Sequence, residues 1–229
     1  MQYKVWVVAL AALSLFGGCY YHPVMDDLSS IPELEVSPWP NGVVYYTLEG
    51  FDQNNDNDRF SLISIKRAMQ EWSSAANITF IEKPEGGEYV VRIIKSEKTA
   101  STLGYVKKPK IYLTSLASQR QATHELGHVL GLTHEHQRPD RDAYITIHWN
   151  NILPEAISQY TIIKNSLYDE EDYPYDYRSV MHYSQSAGAV NIMSPTYSIY
   201  DANYNKQWPT YLSQGDRDKV IDIYGVRAP

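Results

Sequence analysis

The sequence predicts an α+β fold in two lobes, with a cleft between them. Three observations carry that expectation. Segments rich in β-branched and aromatic residues surround one long helical segment in the first half, which implies a sheet with helices packed on it. A second helix is fixed by a histidine pattern, His124 to His134, that requires the chain to leave the helix and turn back. A length of 229 residues suits one domain of two lobes.

From the start of the chain, residues 1–18 read as an export signal. Lys4 gives a weak positive region, and Val5 to Leu15 is an apolar run too short to span a bilayer. Small residues then precede Cys19, the pattern of a bacterial lipoprotein in which that cysteine becomes the lipidated first residue. Phe16 stands where such signals more often have leucine, and an ordinary cleaved secretion signal is the alternative. Either way the chain is exported. More than one hydrocarbon chain on Cys19 would suffice for stable membrane anchoring. Cys19 is the single cysteine, so no intramolecular disulfide can form. Residues 19–36 read as the lipidated cysteine plus a linker or short pro-segment, with Pro23, Pro32 and the acidic pair Asp26-Asp27. A carboxylate there could reach a metal and hold the protein latent, but a solvated tether is the plainer role. The folded domain is then 37–229, divided into lobes 37–134 and 135–229.

In the first lobe, Trp39-Pro40-Asn41-Gly42 is a turn and Val43 to Leu48 a strand. The polar run Asp52 to Asp58 lacks the glycine and distal glutamate of a calcium loop, so it reads as a loop ending in a helix cap at Asp58. Phe60 to Ala76 is expected as a helix, buried through Ile63, Ile65, Ala68, Met69 and Trp72. Ile78–Ile81, Tyr89–Ile94, Leu103–Val106 and Ile111–Leu113 are expected strands. A free edge of that sheet would suit an extended peptide.

Gln119 to Gly131 is the second helix, with Ser118 as its cap and Ala122, Leu126, Val129 and Leu130 inward. It carries His124-Glu125-Leu126-Gly127-His128-Val129-Leu130-Gly131-Leu132-Thr133-His134, of the form H-E-x-x-H-x-x-G-x-x-H. Histidines four apart on a helix share one face and can share a metal. Glu125 faces aside, where it can take a proton from water without being a ligand. Gly131 supplies the left-handed turn that brings His134 back. Three neutral imidazoles with one open position describe a catalytic zinc site, one ion per chain. Five fixed residues match by chance on the order of once in ten million positions, and an amphipathic helix alone would leave Gly131 and His134 unexplained.

A net charge of −7 argues against nucleic acid and against a basic membrane-surface footprint, leaving Cys19 as the route to a membrane. A monomer is expected. The 20 tyrosines suit clefts and wet interfaces, or extra packing.

After His134 come Glu135 and the run Arg138-Pro139-Asp140-Arg141-Asp142, and further on Ser179-Val180-Met181-His182-Tyr183. Together with the long histidine motif, these residues closely resemble the astacin family of metzincin zinc metallopeptidases, from about Trp39 to Tyr224. Glu135 and the Arg138–Asp142 run separate that family from other metzincins. The resemblance implies a two-lobed metzincin fold, with a twisted sheet and helices in the first lobe, a mostly irregular second lobe with a terminal helix, and the cleft between them, and it implies zinc-dependent hydrolysis of protein or peptide substrates. It implies His124, His128 and His134 as zinc ligands, Glu125 as the base, and Met181 as the turn methionine beneath the metal. It implies that Tyr183 ligates zinc at rest and swings off to hold the oxyanion. His182 is then expected to support or pack rather than ligate. His136, His148 and His22 have ordinary surface readings. Arg138, Asp140, Arg141 and Asp142 read as an ion-pair cluster fixing the second lobe, of little weight if exposed. Three departures stand out. The family's disulfides are absent, and so is its Phe-x-Gly-Asp pro-segment motif. A lipidated Cys19 would also offer no free amine to Glu135, where the family inserts a new N-terminus. A surface binding module with a dead metal site is the rival from another class, but every residue needed for turnover is present.

Overall fold

The alternation of apolar and polar residues sets which way the sheet faces. A computed structural model describes residues 31–201 and 211–227; the expectations for the signal, Cys19, His22 and Asp26-Asp27 lie outside them. Strands β2 (Val43–Glu49), β3 (Thr79–Glu82), β4 (Val91–Lys95), β5 (Ala100–Ser101) and β6 (Lys110–Leu113) form one sheet in the order β3-β2-β4-β6-β5. β2 runs parallel to β3 and β4, and β4 to β6, with Ile93 opposite Ile111. β5 alone is antiparallel, on β6, and forms an edge. Val44, Tyr46, Val91, Ile93, Ile111 and Leu113 face the core, while Tyr45 and Arg92 alternate outward.

Helix α1 spans Asp56–Ala75 and α2 spans Gln119–Val129. Trp72 of α1 is fully buried and donates its indole N–H to Thr123 O of α2 at 2.9 Å, so a large apolar ring reaches the second helix without stranding a donor. α1 starts earlier than expected. The Asn55 side chain accepts from Asn57 N (3.0 Å) and Asp58 N (3.2 Å), which makes Asn55 the cap and not Asp58. Ile65, Ala68, Met69 and Trp72 form the buried stripe, but Ile63 is 47% exposed. Two residues before Ile65, it lies about 200° away around the helix.

Asp58 instead works as a buried tie. It accepts from Asp52 N (2.9 Å), Lys95 Nζ (2.8 Å) and Ser115 Oγ (2.6 Å), joining the start of α1 to the end of β4 and the loop after β6. The Asp52 backbone N–H, then Lys95 and Ser115, hold its carboxyl down at about 2. A folded-state pKa below the unfolded value gives stability above about 4 that is lost as pH falls toward 2. Melting between pH 4 and pH 2 should therefore fall further for the wild type than for Asp58→Asn. Equal slopes would show that the tie is not a carboxylate effect.

Leu103–Val106 is not a strand. Gly104 there has φ +67°, its N–H goes to His128 O (2.9 Å), and Tyr105 N goes to Ser37 O (2.7 Å). Its backbone is spent on other segments and cannot join a ladder.

The second lobe is mostly short 3₁₀ turns. β7 (Ile145–Ile147) pairs antiparallel with β9 (Tyr197–Ile199), and β1 (Glu33–Leu34) pairs parallel with β8 (Lys164–Asn165). The solvated-tether reading fails for residues 31–36. Ile31 and Val36 are buried, and Val36 N donates to Ser166 Oγ at 2.8 Å. Ile145, Ile147, Ile152, Tyr160, Tyr175 and Tyr197 form this lobe's core, with Tyr144 stacked on Tyr175 at 4.5 Å. The tyrosines are thus largely packing. The ion-pair cluster expected around Arg138 and Arg141 is present, and both arginines are buried. Arg138 is satisfied by Glu135, Asp140 and the carbonyls of Tyr173 and Pro174, and Arg141 by Asp142, His136 O and Tyr160 O. Helix α3 (Gln214–Tyr224) returns to the first lobe, where Tyr224 Oη donates to Leu130 O (2.8 Å), an otherwise orphaned carbonyl at the end of α2.

Candidate active site

Each motif position is held by a local device. Ser118 and Gln121 form a reciprocal capping box at the start of α2. At its end Gly131 has φ +101°, and Leu132 N returns to Gly127 O at 3.0 Å. A Cβ at position 131 would lie 2.5 Å from Leu167 Cδ1 and displace that side chain, but it is the positive φ that favours glycine here. Beyond it, Asn165 Nδ2 donates to Gly131 O (2.7 Å), and Tyr168 Oη accepts from Thr133 N (3.2 Å), fixing the peptide that presents His134.

His124, His128 and His134 converge. Their ligand atoms lie within 4.8 Å of one another. His134 Nε2 is 3.0 Å from His128 Nε2 and 3.3 Å from His124 Nε2. Each Nδ1 meets a strong acceptor: Val180 O for His124 (2.8 Å), Leu132 O for His128 (2.8 Å) and Gln137 Oε1 for His134 (2.7 Å). Gln137 donates its NH₂ to Thr161 O, which assigns its oxygen to the histidine. With Nδ1–H donating outward in all three, three Nε2 lone pairs face inward and repel unless a cation lies among them. Nitrogens about 2.0–2.1 Å from one tetrahedral zinc would be about 3.3 Å apart. The donor set therefore fits zinc. Burial pushes the imidazoles down, His124 to about 3, His128 to about 4 and His134 well below its ordinary value, so all three are neutral ligands.

Glu125 is buried beside them, and its Oε2 has no hydrogen-bond partner. Burial pushes its pKa up to about 7, opposed by the Ser101 hydroxyl of β5. A carboxylate poised near neutrality and unused as a ligand is suited to moving protons. These residues line a cleft of about 410 Å³ between the lobes, with Ala100 and Ser101 of edge strand β5 on one side and Tyr183 on the other.

Tyr183 stands at the cleft wall. Its ring lies 4.2 Å from that of His134 and stacks on His136 at 4.3 Å. Its phenol is held well above its ordinary pKa by burial, then by the charge of Glu125 and by Tyr160, so it stays a neutral donor. His136 is thus no surface histidine: it is fully buried and donates its Nε2–H to Gln159 O (2.8 Å). His182 also supports the wall, through Tyr175 Oη (2.8 Å) and Tyr183 O (2.9 Å), and is not among the convergent ligands. His148 is half-buried and lies outside the cleft lining. Sequence reasoning missed Gln137, Ser101 and the buried role of His136. Only Gln137, three residues after His134, carried a local cue.

Met181 lies directly beneath α2. A Cβ at Gly127 would meet Met181 Sδ at 2.5 Å and Trp72 Cζ2 at 3.1 Å. Gly127→Ala gains about 1 kcal/mol of helix propensity but forces overpacking worth about 1–3 kcal/mol. The net expectation is a loss of up to about 2 kcal/mol in chemical denaturation. A stabilised variant would mean that Met181 yields freely.

Three neutral imidazoles placed to hold one ion, two of them on a helix of the H-E-x-x-H form whose carboxylate is free for chemistry, fit the zinc metallopeptidases. Comparison with known proteins narrows the class. The family model Astacin (peptidase family M12A) matches residues 33–225, and the chain belongs to that family. It is a zinc-dependent endopeptidase acting on peptides or proteins. It is 32% identical over 195 residues to astacin-like metalloprotease toxin 2 of Loxosceles intermedia, covering 83% of this chain and 71% of the toxin. It is 35% identical over 161 residues to zinc metalloproteinase nas-8 of Steinernema carpocapsae, covering 68% of this chain but 37% of that protein. Its fold is similar to that of high choriolytic enzyme 1, a hatching-enzyme zinc protease of the medaka Oryzias latipes. There the TM-score is 0.67 at 21% identity, over 92% of this chain and 99% of that one.

Proposed function

We propose that this chain hydrolyses peptide bonds with His124, His128 and His134 holding zinc, Glu125 as general base and Tyr183 as oxyanion donor. The observation that carries the reading is the inward convergence of three Nε2 atoms beside an unpartnered buried carboxylate. Zinc held there would supply Lewis acidity, polarising the scissile carbonyl and bringing the ionisation of water toward neutral pH. Glu125 takes the proton of the attacking water and passes it to the leaving amine. Tyr183, a neutral phenol at the cleft wall, would offer its oxygen to bound zinc in the absence of substrate and would donate its O–H to the developing oxyanion. The free edge of β5 offers main-chain partners to an extended substrate.

The layout proposed with this chemistry is an export signal at 1–18, a lipidated Cys19 with a linker ending before Ile31, and a catalytic domain that takes in residues 31–36, acting as a monomer tethered outside the cell. An ordinary cleaved signal would instead release it. Mass analysis of the mature N-terminus decides between the two.

The enzymatic reading is tested on a generic unfolded protein. Hydrolysis should stop when a chelator removes the metal and return on adding one equivalent of zinc. Zinc-loaded, folded protein that cleaves nothing would favour the binding module instead.

A further inference from the structure

One turn of α3 reaches two of the three metal-site histidines through a single intermediate each. Asp216 accepts from Ser179 Oγ (2.6 Å) and Val180 N (2.9 Å), and Val180 O receives the Nδ1–H of His124 (2.8 Å). Three residues later, Lys219 Nζ donates to Glu135 Oε2 at 2.5 Å. Glu135 follows His134 directly and opens the short 3₁₀ turn Glu135–Gln137, whose Gln137 orients the His134 ring. The same turn is tied to the methionine beneath the metal helix, through Glu135 N to Met181 O (3.2 Å).

The charge balance makes Lys219 necessary. The side chains of Glu135 and Lys219 are 1% and 5% exposed. Arg138 also reaches Glu135 (2.8 Å), but it is shared with Asp140 (2.8 Å). Two carboxylates with one guanidinium leave a net negative charge, and Lys219 cancels it. Without that ammonium, a buried carboxylate lacks a full partner and must move toward water or another cation. The backbone it would drag carries His134.

We propose that Lys219 is a positioning residue of the metal centre: its ion pair with Glu135 clamps the peptide presenting His134 to the helix whose Asp216 fixes the carbonyl orienting His124. The proposal rests on the reading of the three histidines as zinc ligands. The residues that support metal ligands typically change metal affinity 10–100-fold when removed. The clamp comes from within the folded domain, so an amine at a newly cut N-terminus is not required to balance Glu135.

The test uses the full chain carrying Lys219→Met, and a second variant, Glu135→Gln with Lys219→Met, which leaves no unpaired carboxylate and so keeps the fold. Zinc affinity is read by competition with a chelator, without substrate. Both variants should bind zinc about 10–100-fold more weakly. The cobalt-substituted proteins should show altered visible absorption. When zinc-loaded, the variants should have a lower kcat with KM little changed. A purely structural pair would lower the melting temperature and leave affinity, spectrum and kcat at wild-type values. That outcome in the double variant overturns the proposal even if the single variant does not fold. Wild-type protein that binds zinc but hydrolyses nothing removes the peptidase reading and leaves the clamp standing. Wild-type protein that binds no zinc removes both.

Discussion

Glu125→Gln is expected to lower kcat/KM by about 10²–10⁴-fold while the protein keeps its zinc. Glutamine fills the same space, so the cleft and the three histidines remain. What is lost is the capacity to take a proton. The wild-type carboxyl lies near 7 because it is buried without a hydrogen-bond partner on Oε2. The positive charge of bound zinc draws that value down. The acidic limb of kcat/KM should accordingly fall at or below about pH 7, with activity present above it and lost as pH drops and the base is protonated. In Glu125→Gln the residual rate should lack that limb. A glutamine variant with full activity, or with an unchanged acidic limb, would remove Glu125 from the chemistry. Zinc content measured on the same samples separates a chemical defect from loss of metal.

Tyr183→Phe should lower kcat by about 10²–10³-fold, the usual cost of removing one oxyanion donor, with KM little affected. The ring is held by its stack on His136 and its contact with His134, and phenylalanine keeps both. Only the hydroxyl disappears. Because burial keeps the phenol protonated across the working range, the wild-type donor should show no titration of its own below strongly alkaline pH. If Tyr183 were only a wall of the cleft, the variant would turn over at the wild-type rate. A change confined to KM would place the residue in substrate binding instead.

Much of this site was legible in the chain because helix geometry is local. Spacing alone puts His124 and His128 on one face, and Gly131 marks where the chain must reverse; both hold in the structure. Met181 and Tyr183 could be placed by resemblance and by nothing nearer to hand. Strand boundaries were less legible. β5 is two residues long and exists only because β6 lies beside it, and Leu103–Val106 looks like a strand yet spends its backbone on Ser37 and His128. Asn55 and Asp58 are both good caps for α1, and only the tertiary contacts with Lys95 and Ser115 draw Asp58 inward. His136 reads as a surface group because polarity usually means exposure, and the ion-pair cluster of Arg138 and Arg141 carries no local sign of its depth. Their burial depends on partners that the sequence leaves far apart, such as Gln159, Tyr173 and Tyr160. Lys219 was invisible for the same reason, 84 residues from the carboxylate it meets.

The second lobe is held by interleaved tyrosine rings and fully partnered arginines, with no sulfur bridge among its residues. Its assembly is therefore blind to redox poise. It needs no oxidase or isomerase, and a phosphine reductant should leave both its melting curve and its turnover untouched. Such a catalytic unit can mature in a thiol-rich environment.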